Sequence, residues 1–197
     1  MTDLEPLLRR VASDLGSVGA RWALVGALAV GARSKPRFTA DLDLALAVAS
    51  DDEAEHIVAQ LRASGYVVGA IMEHRTTGRL ATVRLGTEEG GEEDVPVVDL
   101  LFASCGIEPE VASEAEVLEV FPGVQVPVAR AGHLVAMKLL SRSEGRPLDQ
   151  ADLFALIASA DAAEIERARE AVRLIAERGF DRGRDLVADL EAALAPG

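Results

Sequence analysis

Thr39-Ala40-Asp41-Leu42-Asp43-Leu44-Ala45-Leu46 is the stretch on which the rest of the chain turns. Polar and apolar residues alternate along it with period two, which predicts a half-buried β-strand. Leu42, Leu44 and Leu46 take the core side. Asp41 and Asp43 share the other face, their Cα atoms roughly 6.6 Å apart. Like charges this close repel unless a cation sits between them; a solvated strand edge is the competing explanation. Carboxylates converging in this way suit Mg²⁺, which takes a few protein oxygens and completes its shell with water and substrate phosphates.

Further along, Val95-Pro-Val-Val-Asp-Leu-Leu-Phe102 reads as a strand, apolar except for Asp99. An isolated charge buried in such a run is costly. If this strand lies beside 41–46, Asp99 completes a three-carboxylate site; otherwise it is a satisfied core aspartate. Upstream, Trp22–Val25 predicts a strand that runs into Gly26, and the small residues 27–32 predict a buried helix after it. A strand–glycine–helix junction presents free N–H groups and the positive end of a helix dipole, a seat for phosphate. Close helix–strand packing would also call for that glycine. Next comes the basic loop Arg33-Ser-Lys-Pro-Arg-Phe38, whose Arg33, Lys35 and Arg37, with Arg146, are candidates to widen a cationic patch. Lys138 and Arg142 stand four apart on a predicted helix and form a cationic stripe, or a solvated face paired with Glu144 or Asp149.

The other elements frame these residues. Leu4, Leu8, Val11 and Leu15 predict an amphipathic helix over 4–16, and residues 51–63 a second, capped by Ser50 or Asp51. Strands are expected at Tyr66–Ile71, Ala81–Leu85, near 117–120 and at Val124–Val128, with the acidic stretch 87–94 as a solvated hairpin loop. Beyond Ala129 the pattern turns helical, roughly 130–143, 149–159, 161–178 and 181–194. The expected architecture is therefore a mixed α/β domain over 1–129 and a helical domain over 130–197. Arg167, Arg169, Arg173, Arg178, Arg182 and Arg184 are scattered among acids in the second part, where packing is the expected role.

Composition narrows the function. The 197 residues, 49% of them hydrophobic, can bury a real core. Lys and Arg number 20 against 33 Asp and Glu, a net charge of −13, which excludes a general polyanion binder and leaves nucleic-acid contact to a local basic patch. Lys35 and Lys138 are the two lysines of the chain, so each merits scrutiny. The single cysteine, Cys105, excludes an intrachain disulfide framework, has no evident catalytic partner and fits a reducing compartment. With His56, His74 and His133 scattered, a structural zinc site is not expected. His133 reads as a helix-start residue. No long apolar run occurs and the N-terminus is acidic, so a soluble cytoplasmic protein without membrane contact is expected.

The ordered set resembles a known family. Gly26-Ala27, thirteen residues, then Asp41-Leu-Asp-Leu44 is similar to the Gly-Gly/Ser plus Asp-h-Asp-h signature of the DNA polymerase β nucleotidyltransferase superfamily. Gly26–Arg33, Arg37–Asp43, His133–Arg142 and Asp149-Gln-Ala-Asp152-Leu153 resemble the AbiEii/MenT-type toxin nucleotidyltransferases within it, over roughly residues 20–156. The resemblance implies a polymerase β-like α/β fold with a mixed sheet. It also implies two catalytic Mg²⁺ ions on Asp41, Asp43 and Asp99, and NTP phosphates held at Gly26 and Ala27. Lys138 would pair with the triphosphate, and Arg37, Thr39, Arg142 and Asp152 would belong to the nucleotide site. Ala27 stands where the pattern has Gly or Ser, so one hydroxyl donor is missing. The implied reaction is NMP transfer to an acceptor, with tRNA as acceptor and a cognate antitoxin as partner. Two other readings remain open: transfer to a small molecule such as an aminoglycoside, favoured by the acidic charge, and a degenerate nucleotide-binding regulator, favoured by Ala27.

Overall fold

A computed structural model describes residues 4–75, 77–87, 96–142 and 147–195. Helix α1 (Leu4–Ser17) buries Leu4, Leu7, Leu8, Val11 and Leu15, the one-sided spacing that holds an amphipathic helix on a core. Strand β1 (Arg21–Val25) runs directly into α2 (Gly26–Arg33), and β2 (Asp41–Ala47) follows after the basic loop. Ser50 caps α3 (Asp51–Ala63): its Oγ accepts the Glu53 N–H, while the Glu53 carboxylate accepts the Ala49 N–H. Asp51, the other candidate cap, instead accepts from Arg79 and the Leu80 N–H. Then come β3 (Tyr66–Glu73), β4 (Leu80–Thr87) and β5 (Val97–Leu101), the short α4 (Glu108–Ser113), and the hairpin of β6 (Glu116–Phe121) and β7 (Val124–Val128). Four helices complete the chain: α5 (Ala131–Ser141), α6 (Pro147–Ser159), α7 (Ala162–Glu177) and α8 (Leu186–Leu194).

The strands form one mixed sheet in the order β3-β4-β5-β2-β1-β7-β6. β2 lies at its centre, parallel to β5 and antiparallel to β1. Alternation along β2 puts Leu42, Leu44 and Leu46 fully into the core, as the sequence predicts. Apolar side chains from α1, the sheet and α5 to α8 join in one cluster. Helix α5 is buried nearly all round, its His133, Leu134, Val135, Ala136, Lys138 and Leu139 included. A helix so enclosed must supply partners for any charge it carries.

Two elements differ from expectation. α4 gives no signal in the sequence because six residues opening on Glu108-Pro109 are too short to show a helical period. Its start is fixed by the buried Glu108 carboxylate, which accepts the N–H groups of Ser104 and Cys105. α8 begins at Leu186, not 181, because Asp185 caps it and the preceding residues form a turn in which Arg182 and Gly183 are left-handed. The acidic stretch 88–94, Glu144 and Arg146 lie outside the described residues. Among those described, no helix is long and apolar enough to cross a membrane.

Candidate active site

Sheet register assembles the acidic cluster. Asp43 of β2 is the partner of Val25 on one side and of Asp99 of β5 on the other. Asp41, Asp43 and Asp99 all line a cavity of about 1040 Å³, together with Gly26, Ala27, Arg37, Thr39, Lys138 and Arg142. Burial raises the Asp43 carboxyl to about 6; Asp99 and Asp41 add to this, while Lys138 and Arg84 oppose it. The ionised acid is therefore held at an energetic disadvantage that a cation or an added proton relieves.

Gly26 is shaped by the same acid. Its φ is +66°, a left-handed conformation that favours glycine, and a Cβ there would lie 1.8 Å from Asp43 Oδ2. The turn into α2 thus touches the central carboxylate. Val25, at the helix cap position, provides no side-chain cap, and the first N–H groups of a helix have no partner within it. Ala27 is buried beside this turn. Thr39 brackets Asp41 from before the strand, its Oγ1 3.5 Å from the Asp41 N–H and 3.4 Å from the Asp41 carbonyl.

A residue the sequence did not flag completes the acidic side. Arg84 of β4 pairs in register with Asp99 and donates Nε and Nη2 to its two oxygens at 2.8 and 2.7 Å. This bidentate fork raises the Arg84 pKa and occupies both oxygens of Asp99. Along β4, Arg84 is the exposed member of an alternating strand, indistinguishable in sequence from any solvent-facing arginine.

Opposite lies a second charged cluster, carried by helices. Lys138 is buried in α5, and its Nζ is 2.7 Å from Asp149 Oδ1 and 2.9 Å from Asp152 Oδ2. Asp152 accepts a second fork from Arg37, 2.9 Å at each oxygen. Burial pushes the Asp152 carboxyl up, but the hydrogen bonds from Arg37 and Lys138 prevail and hold it below the usual carboxylate value. Lys138 and Arg142 therefore do not form the expected open stripe: Lys138 is turned inward between two aspartates, and Arg142 lies at the α5 C-cap, past the helix face. Asp152, placed by resemblance in the nucleotide site, is absent from the cavity wall because both its oxygens are engaged behind Arg37 and Lys138. Of the basic loop, Arg37 reaches the cavity. Arg33 is drawn away by the carbonyls of Ala129 and Val128 and by Glu116, and Lys35 is exposed off the cavity wall.

Arg182 and Arg184, read from sequence as tail residues, also line the cavity. Cys105 does so too, but burial and Glu108 raise its thiol well above the ordinary value, so it is no nucleophile. His133 is buried near the start of α5, its pKa lowered by burial.

Among the described residues, no group of three or more His, Cys, Asp or Glu side chains is already gathered to hold a metal ion. The donor set nevertheless fits a hard cation in part. Asp41 and Asp43 offer oxygens on one strand face beside the glycine turn, and such an ion keeps water and phosphate oxygens in its remaining positions. Asp99 could join only by giving up part of its fork with Arg84.

The mixed sheet, with a central strand that presents paired aspartates beside a glycine-led helix, is a fold found in solved nucleotidyltransferase-like proteins. The fold is shared with an antigenic nucleotidyltransferase-like protein from Paracoccidioides brasiliensis, at 17% identity over 96% of this chain and 92% of that one, TM-score 0.55. It is shared also with the lincomycin-bound lincosamide antibiotic adenylyltransferase LnuA, at 14% identity over 81% of this chain and 100% of that one, TM-score 0.50. The chain belongs to the AbiEii nucleotidyltransferase toxin family, described as "Nucleotidyl transferase AbiEii toxin, Type IV TA system", whose profile matches residues 7–195. No curated protein matches it in sequence.

Proposed function

We propose that this nucleotidyltransferase moves an NMP group from an NTP to an acceptor hydroxyl, with tRNA as acceptor, as the toxin of a toxin–antitoxin pair. The observation that carries this reading is the register Val25–Asp43–Asp99, which sets a glycine-led helix start against paired carboxylates in one cavity. Backbone N–H groups at Gly26 and Ala27 receive the β- and γ-phosphates, and the helix dipole favours their charge. Lys138, oriented by Asp149 and Asp152, and Arg142 lie against the triphosphate. Arg37 braces the loop that delivers Thr39 and Asp41. Asp41 and Asp43 would hold a Mg²⁺ ion, and Asp99 would reach a second; bound there, the ions would supply charge neutralisation of the triphosphate and a more acidic acceptor hydroxyl. Asp99, with one oxygen released from its fork with Arg84, takes the acceptor's proton as the acceptor oxygen bonds to the α-phosphorus in line; the bond to pyrophosphate breaks and pyrophosphate leaves. Positioning and electrostatics do most of this work. In this reading residues 1–129 supply the acids and the glycine turn, and residues 130–197 supply Lys138.

The net charge of −13 supports a second reading, a small cationic acceptor such as an aminoglycoside. Incubating the protein with each labelled NTP, Mg²⁺ and either a crude tRNA pool or an aminoglycoside panel separates the two. Labelled RNA is the expected product, and Asp41→Ala or Asp43→Ala should abolish it without loss of fold. Label on the antibiotic alone would select the second reading. Equal turnover by the double alanine variant would remove both.

A further inference from the structure

Among the described residues, six basic side chains line the cavity, and four of them are neutralised: Arg84 by Asp99, Lys138 by Asp149 and Asp152, Arg37 by Asp152, and Arg184 by Asp189 at 2.6 Å. The other two, Arg142 and Arg182, make no side-chain hydrogen bond or ion pair among the described residues. Arg182 is exposed at the cavity wall, so its guanidinium is open to a ligand there.

Arg182 is also held there against its own backbone preference. It is the one non-glycine residue with positive φ, 59°, among the described residues. The turn that carries it is fastened on both sides. Before it, the Phe180 ring packs on Gly106, where a Cβ would lie 2.5 Å from a ring carbon, and on His74, with ring centroids 4.3 Å apart. After it, Arg184 Nη1 donates to the Leu139 carbonyl at the end of α5 at 2.9 Å. A left-handed arginine persists only where its surroundings impose it, and such residues concentrate at ligand clamps. It lines the cavity together with Ser104 and Cys105, which follow β5, the strand that bears Asp99.

We propose that Arg182 is a phosphate-anchoring residue of the transfer site, its guanidinium fork receiving a phosphate group of one of the two substrates. The fork geometry and permanent charge suit phosphate in two-point contact. The phosphate comes either from the triphosphate of the donor or from the backbone of an acceptor strand. This inference rests on the nucleotidyltransferase reading for its substrates, yet its test reads binding and not turnover.

Calorimetric binding of inorganic tripolyphosphate and of a crude tRNA pool is measured for wild type, Arg182→Gly and Arg182→Lys, each with a thermal melt. Glycine suits the left-handed position, so Arg182→Gly should melt at the same or a higher temperature while binding one probe at least five-fold more weakly. Arg182→Lys should recover part of the loss. Weakened tripolyphosphate binding assigns the donor. Unchanged tripolyphosphate binding with weakened tRNA binding, and a salt slope shallower by about one counterion, assigns the acceptor. If Arg182→Gly leaves both affinities unchanged, or wild type binds neither probe, the inference is overturned. Arg182-dependent phosphate binding in a protein that transfers no label would instead remove the proposed reaction and leave this inference standing.

Discussion

The strand cluster and the helix cluster each gather four charged side chains around one cavity, and they are built on opposite terms. Among the described residues, Arg37, Lys138, Asp149 and Asp152 set two cations against two anions within hydrogen-bonding distance. Asp41, Asp43, Asp99 and Arg84 set three anions against one cation, and that cation is committed to Asp99. The helix cluster ties the loop at Arg37 to α5 and α6. The strand cluster is left short of positive charge, and the neighbouring acids add to burial in raising the Asp43 carboxyl. A deficit of this kind at a cavity wall is what an incoming cation and phosphate would complete.

The contrast is broken most severely at Asp43. Asp43→Asn keeps the shape and removes the charge, and labelled-NTP transfer should fall at least 1000-fold, about 4 kcal/mol of transition-state stabilisation. Next is Gly26→Ala. Its Cβ cannot coexist with the Asp43 carboxylate, so transfer should drop about 100-fold, or about 3 kcal/mol, by the same assay. Asp152→Ala attacks the balanced cluster instead. It frees Arg37 and leaves Lys138 with Asp149, and should lower urea-unfolding stability by about 2–3 kcal/mol. Were Asp43→Asn to destabilise as much as Asp152→Ala, the two clusters would not differ in kind.

The smallest effect sharpens the distinction through pH. The folded Asp43 carboxyl, at about 6, lies above its unfolded value of 3.8. In the folded state the group favours its protonated form, so its stabilising contribution is present below pH 3.8 and is lost as pH rises through about 6. In EDTA, Asp43→Asn should therefore gain stability over wild type between pH 4 and 7, by about 1–3 kcal/mol, with a plateau above. Asp152, held below its ordinary value, works in the opposite sense: its contribution is present at neutral pH and is lost on acidification. A difference between wild type and Asp43→Asn that grows toward low pH would reverse the assignment.

How far the sequence revealed all this depends on how local each signal was. The alternation of 39–46 shows β2 and its two outward acids because a period of two is contained in eight residues. Asp99 stood out because a charge in an apolar run needs a partner, and β5 does pair beside β2. Gly26 was visible as a strand–helix junction, although its contact with Asp43 was not. Arg84 was hidden because its meaning lies in cross-strand register with Asp99, across a chain segment whose length says nothing about pairing. The inward turn of Lys138 was hidden as well. An i,i+4 pattern shows which residues share a helix face, not whether another helix covers it. Arg182 was obscured because the turn at 181–184 interrupts what reads as continuous helical periodicity.

The cavity wall draws on residues from Val25 to Arg184, and this spread has a consequence for a chain made from its N-terminus onward. The acids and the glycine turn emerge first, while the arginines at 182 and 184 follow roughly 80 residues after Asp99, about 4–16 s later at ordinary elongation rates. A nascent polypeptide of this kind carries Asp41, Asp43 and Asp99, with Arg37 and Arg84, before Lys138 and the arginines at 142, 182 and 184 exist. The cleft lacks part of its cationic wall until Arg184 has been added.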